Sequence, residues 1–163
     1  MSSKPVKVLM VCLGNICRSP TAEGVFKATV EKANLQHAIQ ADSAGISNWH
    51  VGEAPDPRSI KAAAGQGYDI SQQRGRQVQD ADFNEFDYLV AMDQQNLRDL
   101  QQRCPPALQH KLSLFLQHGT STYQEVPDPY NSGNAAFELV LELAEDASAG
   151  LLQKLLVQHS LSR

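Results

Sequence analysis

The run KVLMVC at 7–12 constrains the fold most: it is nearly all apolar and no longer than one strand. A strand apolar on both faces belongs in a parallel sheet covered on both sides. The segment after it, SPTAEGVFKATVEKAN (19–34), places Ala22, Phe26, Thr29, Val30 and Ala33 at helical spacing. Ser19 suits the cap of that helix and Pro20 its first turn. A second strand is expected in HAIQADSAG (37–45), followed by a long loop at 47–57 and a helix in RSIKAAAG (58–65), closed by Gly65 or Gly67. FDYLVAM (86–92) reads as a third strand, Asp93 as the cap of a helix in QQNLRDLQQR, and KLSLFL (111–116) as a fourth strand. From Asn134 to about His159 a long helix carries Phe137, Val140, Leu141, Ala144, Leu151, Leu152 and Leu155 on one stripe, with Gly150 as its weak point. DADFNEFD (80–87) reads as a solvated helix or turn. Strand and helix alternate, so the expected fold is α/β: a four-stranded parallel sheet flanked by helices on both faces, Rossmann-like, in a single domain spanning 1–163. Ligands of such sheets bind beyond the carboxyl ends of the strands. The loop after the first strand is placed there.

Charge and composition exclude several functions. The net charge is −4 and like charges form no blocks, so neither nucleic acid nor a membrane is an expected partner. No apolar stretch reaches the length of a membrane span, and MSSKPVKVLMV has no small-residue cleavage site, so no signal peptide is expected. Three cysteines in such a chain point to reduced thiols and a cytoplasmic setting rather than a disulfide scaffold. None of the five histidines stands in HxxxH or HExxH spacing; neither a metal nor another cofactor is expected.

The loop VCLGNICRSP (11–20) carries the chemistry. Cys12 ends the strand, Arg18 enters the helix, and five residues lie between them. So short a loop around a helix N-terminus turns backbone N–H groups inward and makes an anion cradle. Gly14 permits close backbone approach, and Asn15 tolerates the left-handed region and can bond the loop internally. Arg18 supplies a planar fork for two phosphate oxygens. An ordinary thiol titrates near ~8.5, and helix N-termini and nearby cations lower this by roughly one to five units. Ser19 can donate its hydroxyl to the sulfur. The expected result is a thiolate below a bound phosphate, poised to attack phosphorus. The loop lacks the GxxxxGK[ST] of nucleotide-binding loops and is not a CxxC redox pair.

Displacing an alkoxide or phenolate calls for a proton donor. EVPDPYNSG (125–133) offers Asp128 between two prolines that stiffen the chain, after the fourth strand and so at the same sheet edge as Cys12. Tyr130 can wall the pocket and stack on an aromatic substrate. Trp49, in its loop, either stacks on such a ring or anchors its own loop. Asp56 and Arg58 are expected to pair and close that loop, and Cys104 begins a proline-rich loop in a structural role.

VCLGNICRSPTAEGVF, DSAG, WHVGEAPDPRS, FDYLVAMD, NLRDL and VPDPY resemble the low-molecular-weight protein tyrosine phosphatases, with the motifs in that family's order from about Val6 to Leu152. C-x5-R alone is shared by several phosphatase types; C-x4-C-R-S near the N-terminus with a late DPY is far more specific. The resemblance implies hydrolysis of phosphotyrosine monoesters in two metal-free steps. In it Cys12 forms a cysteinyl-phosphate, Arg18 and the loop amides hold the phosphoryl oxygens, and Asp128 serves as acid and then base. It assigns Asn15, Ser19 and Ser43 to the hydrogen-bonded set that shapes the loop. Leu13, Ile16, Trp49 and Tyr130 match positions lining the substrate cleft. It implies a reversible Cys12–Cys17 disulfide, the alternative being that Cys17 only packs the loop. The implied partners are phosphotyrosyl proteins, a tyrosine kinase among them, with inorganic phosphate as product. Gln73 stands where the family usually has a histidine bonded towards the loop asparagine, and Asn131 where many relatives have a second aromatic residue. Three rival functions fit less well. An arsenate reductase needs resolving cysteines that residues 80–90 lack; a phosphoprotein-binding module would have lost Cys12, Arg18 or Asp128; a redox sensor would not cleave p-nitrophenyl phosphate.

Overall fold

The computed structural model describes residues 4–162, so residues 1–3 and 163 of the expected 1–163 domain lie outside the described residues. Four strands form one parallel sheet in the order β2-β1-β3-β4: β1 (Val6–Cys12), β2 (Ile39–Gly45), β3 (Tyr88–Ala91) and β4 (Leu112–Leu114). The helices are α1 (Arg18–Lys32), α2 (Pro57–Gly65), α3 (Asp82–Glu85), α4 (Gln94–Arg103) and α5 (Asn134–Gln158).

β1 is central, and its alternation feeds two cores. Val8, Met10 and Cys12 face a cluster built with Phe26 of α1 and Leu151 and Leu155 of α5. Leu9 and Val11 face the other cluster, with Phe83, Leu89 and Leu100. Successive side chains of a strand point to opposite faces, so one short apolar run serves both layers. β1 has β2 on one side and β3 on the other. The crevice beyond its carboxyl end is therefore where the strand order reverses, the favoured ligand position in an open α/β sheet.

The differences from the sequence reading have local causes. Helix α1 begins at Arg18 with Cys17 at its cap position; Ser19 lies inside the first turn and its hydroxyl goes to Cys12, not to a helix amide. The fourth strand stops at Leu114, and Phe115–His118 wind into a 3-10 turn in which Phe115 and Leu116 are buried. The charged segment at 80–87 does form a helix, but Asp82 and Phe83 are buried, with Asp82 gripped by Arg76 (Nη1 to Oδ2, 3.0 Å). Gly150 is a contact point rather than a weak one. A Cβ there would collide with the His118 carbonyl, so the missing side chain lets the turn after β4 lie against α5. Among the described residues no helix is long and apolar enough to cross a membrane.

Candidate active site

Cys12 is the last residue of β1 and is buried. Its Sγ accepts a hydrogen bond from the Asn15 backbone amide (3.3 Å) and lies 3.0 Å from Ser19 Oγ. The direction of the second bond follows from its neighbours. Asn15 Nδ2 donates to Ser19 Oγ (2.9 Å) and to Ser43 Oγ (3.0 Å). Ser19 thus accepts from the amide, and its own proton is left for the sulfur. Ser43 in turn donates to Glu23 Oε1 (2.6 Å), a buried carboxylate paired with Lys27. Asn15 holds its place in the left-handed region (φ 58°), and its Oδ1 accepts from the Arg76 amide (3.0 Å). Two donors are therefore aimed at the Cys12 sulfur.

Arg18 is buried beside this loop. Its Nη1 donates to Asp93 Oδ2 (2.7 Å) and to the Val126 carbonyl (3.1 Å), and its Nη2 lies 3.9 Å from Asp128 Oδ2. Burial opposes the guanidinium's charge, but the Cys12 sulfur, then Asp93 and Asp128, outweigh it and raise the Arg18 pKa above its ordinary value. Asp93 caps α4 as expected, taking the Asn96 amide on Oδ1 (2.7 Å). Its second oxygen fixes Arg18, a role the sequence reading did not assign.

Above the sulfur opens a cleft of about 290 Å³. Leu13, Gly14, Ile16, Cys17 and Arg18 line it, and Trp49, Tyr130 and Asp128 form its walls and mouth. Trp49 and Tyr130 are 67% and 48% exposed, so both present ring surface at the rim. His50, which the sequence reading did not foresee, also lines the cleft, as does Asn131, which stands where many relatives have a second aromatic residue. Asp128 sits on the exposed loop after β4, its Oδ1 accepting from the Tyr130 amide (3.1 Å). Gln73 is not brought to Asn15: its Nε2 donates to the Pro20 carbonyl (3.0 Å), and its Oε1 has no hydrogen-bond partner among the described residues. The Arg76 amide occupies the Asn15 oxygen instead.

Cys12, Cys17 and Cys104 are free thiols. Burial pushes the Cys17 thiol up to about 12; a hydrogen bond with Ser59 works against this, while Asp56 and the Cys12 sulfur add to it. Asp56 and Arg58 form the expected pair, 2.9 Å from Oδ2 to Nη2.

A parallel sheet with a buried, hydrogen-bonded thiol and a buried arginine at its switch point defines an α/β protein built around a cysteine. Residues 7–161 match the family described as low molecular weight phosphotyrosine protein phosphatase. A low molecular weight protein-tyrosine-phosphatase of Streptomyces coelicolor is 43% identical over 150 residues, covering 90% of this chain and 91% of the relative. The crystal structure of a protein tyrosine phosphatase from Entamoeba histolytica, with Hepes in its active site, superposes with a TM-score of 0.91 at 39% identity, covering 96% of this chain and 99% of that one. YfkJ of Bacillus subtilis superposes with a TM-score of 0.90 at 34% identity, over 97% of this chain and 99% of its own. The chain belongs to the low molecular weight phosphotyrosine protein phosphatase family.

Proposed function

We propose that this protein hydrolyses phosphotyrosine monoesters through a cysteinyl-phosphate. The observation that carries the reading is the convergence on Cys12 Sγ of the Asn15 amide and the Ser19 hydroxyl, at the floor of a cleft whose mouth holds Asp128. The sulfur attacks phosphorus in line with the ester oxygen. The S–P bond forms as the P–O bond to the tyrosine ring breaks. The loop amides and Arg18 take up the charge on the phosphoryl oxygens, and Asp93 keeps the guanidinium in place. Asp128 gives its proton to the leaving phenolate. Its carboxylate then removes a proton from water as that water attacks phosphorus, the S–P bond breaks, and inorganic phosphate leaves.

The aromatic preference rests on the rim. Trp49 and Tyr130 offer two faces to a phenyl ring, while the phosphate must reach a sulfur at the cleft floor, a depth that suits tyrosine better than the shorter serine and threonine. Phosphotyrosyl proteins, a tyrosine kinase among them, are the substrates this implies, and reduced thiols suit the cytoplasm. Cys17 lines the same cleft. When peroxide takes Cys12 to a sulfenic acid, Cys17 can attack that sulfur: the S–S bond forms as the S–O bond breaks, and the hydroxide takes up the Cys17 proton and leaves as water.

The test is turnover of phosphotyrosyl peptides and p-nitrophenyl phosphate by the Cys12→Ser variant. Turnover is expected to vanish while inorganic phosphate still binds. Residual turnover at the parent rate overturns the reading.

A further inference from the structure

Arg18 ties the acid loop to the phosphate loop at Val126, and beyond Asp128 a second side chain, to which no role in the reaction has been given, does the same. We propose that Arg58 is a positioning residue for the general acid: it ties the backbone around Tyr130 to the phosphate loop through Asp56, and so sets where Asp128 stands over Cys12. This rests on the reading of Asp128 as the acid.

The chain of contacts is continuous. The Asp56 amide donates to the Ile16 carbonyl, inside the phosphate loop, at 2.8 Å. The Asp56 carboxylate is buried and takes Arg58 in a two-point grip, Nε to Oδ1 at 3.1 Å and Nη2 to Oδ2 at 2.9 Å. Arg58 then reaches across to the acid loop. Nη2 donates to the Tyr130 carbonyl (2.8 Å) and Nη1 to the Ser132 carbonyl (3.4 Å). Its guanidinium carbon lies 5.5 Å from the Tyr130 ring centre and 4.6 Å from that of Phe137, the latter on α5. Residue 130 is thus held from both ends. Its carbonyl is bound by Arg58 and its amide by the Asp128 carboxylate itself. A displaced Tyr130 backbone displaces the acid.

The chemistry of the side chain fits the task. A guanidinium has five donors in one plane, enough to serve a carboxylate and two carbonyls together, and it keeps its charge across the working pH range. A lysine cannot span those three acceptors. Before the acid the loop is anchored at Val126, whose carbonyl accepts from Arg18 and whose amide donates to the Met92 carbonyl (2.8 Å), but the stretch from Pro127 to Pro129 is thinly held. Asp128 carries Pro127 and Pro129 on either side, which donate no backbone hydrogen bonds, and its nearest cation, Arg18, is 3.9 Å away.

The experiment compares Arg58→Met and Arg58→Lys with Asp128→Ala on two substrates, phenyl phosphate with its poor leaving group and p-nitrophenyl phosphate with its good one. The readout is kcat/KM, which covers steps up to departure of the leaving group. Arg58→Met is expected to lower kcat/KM for phenyl phosphate about tenfold and for p-nitrophenyl phosphate by less than about threefold, because a small misplacement of the acid hurts only where protonation is needed. Inhibition by inorganic phosphate should stay within about twofold, because its site is the loop and not the acid. Arg58→Lys should fall between parent and Met, with the same dependence on leaving group. In the Asp128→Ala background, Arg58→Met should cost nothing further on phenyl phosphate. Equal losses on both substrates, or losses that add to those of Asp128→Ala, overturn the proposal. Should Arg58→Met fail to fold by thermal melting, Arg58→Lys carries the same comparison. If Asp128→Ala itself loses equally on both substrates, the acid assignment falls and the clamp with it. If Asp128→Ala shows the dependence and the Arg58 variants do not, the clamp alone falls.

Discussion

The two loops that meet over the cleft are built in opposite ways. The loop from Cys12 to Ser19 is sunk in the protein. Cys12, Asn15, Cys17, Arg18 and Ser19 are all buried, and Asn15 alone ties it to Ser19, Ser43 and Arg76. The loop around Asp128 lies outside, with the Asp128 side chain 53% exposed and bonded to the residue 130 amide, whose carbonyl Arg58 binds. The contrast fits the proposed chemistry. An anion cradle works by having its dipoles fixed before the substrate arrives. A proton donor must meet a leaving group that comes in and departs, and afterwards admit water.

That contrast can be attacked at both loops. The largest effect is expected from Asp128→Ala: a fall of about 10²- to 10⁴-fold in kcat/KM for phenyl phosphate, with the urea midpoint almost unmoved, since exposed positions of this kind change stability by about 0.5 kcal/mol or less. Asp93→Ala should do the reverse in kind. It leaves the buried Arg18 without its carboxylate and α4 without its cap, and about 3 kcal/mol of stability should go together with turnover. If the two variants behave alike in urea, the division between a sunken and an outlying half is wrong.

Next in size is Asn15. Asn15→Ala forces an alanine into φ 58° and strands the groups that the amide serves, at a cost of about 3 kcal/mol by urea unfolding. Asn15→Gly removes the same bonds without the backbone penalty and should be milder by about 1 kcal/mol. The gap between the two measures how much of the loop's fixity is conformational.

The smallest effect lies away from both loops and serves as their control. Burial, helped by Lys154, lowers the His118 pKa to about 4 from an ordinary 6.5. Between those values the unfolded chain takes up a proton that the folded chain refuses. Stability from this residue is therefore intact above about pH 6.5 and declines as the pH falls towards 4. His118→Gln should flatten that part of the stability curve by about 1 kcal/mol, allowing for solvent screening, and leave the ratio of rates on the two phenolic esters as it was.

The sequence was legible where one residue type answers one physical need. An apolar run at 7–12, a thiol and a guanidinium six positions apart and an aspartate between prolines are such cases, and the sheet and the cleft place them together. It was opaque where one residue serves two masters. Asp93 reads as a helix cap, which it is, and capping uses only one of its oxygens; the grip on Arg18 uses the other. Ser19 has the right chemistry for a cap, but its hydroxyl is spent on the sulfur. The Arg76 amide that secures Asn15 belongs to the backbone and has no residue signature at all. Phe83 hides in a segment whose charges suggest solvent, and it is fully buried.

The alternation along β1 has a consequence for how such a chain can drift. Cys12 shares its parity with Val8 and Met10, on the α1 and α5 side of the sheet. One residue inserted or deleted within the strand would swing the thiol through half a turn, into the company of Phe83 and Leu100 and away from Asn15 and Ser19. Substitutions among apolar residues keep the count. At the apolar positions before Cys12, exchange among apolar residues should therefore be tolerated far better than any change of length.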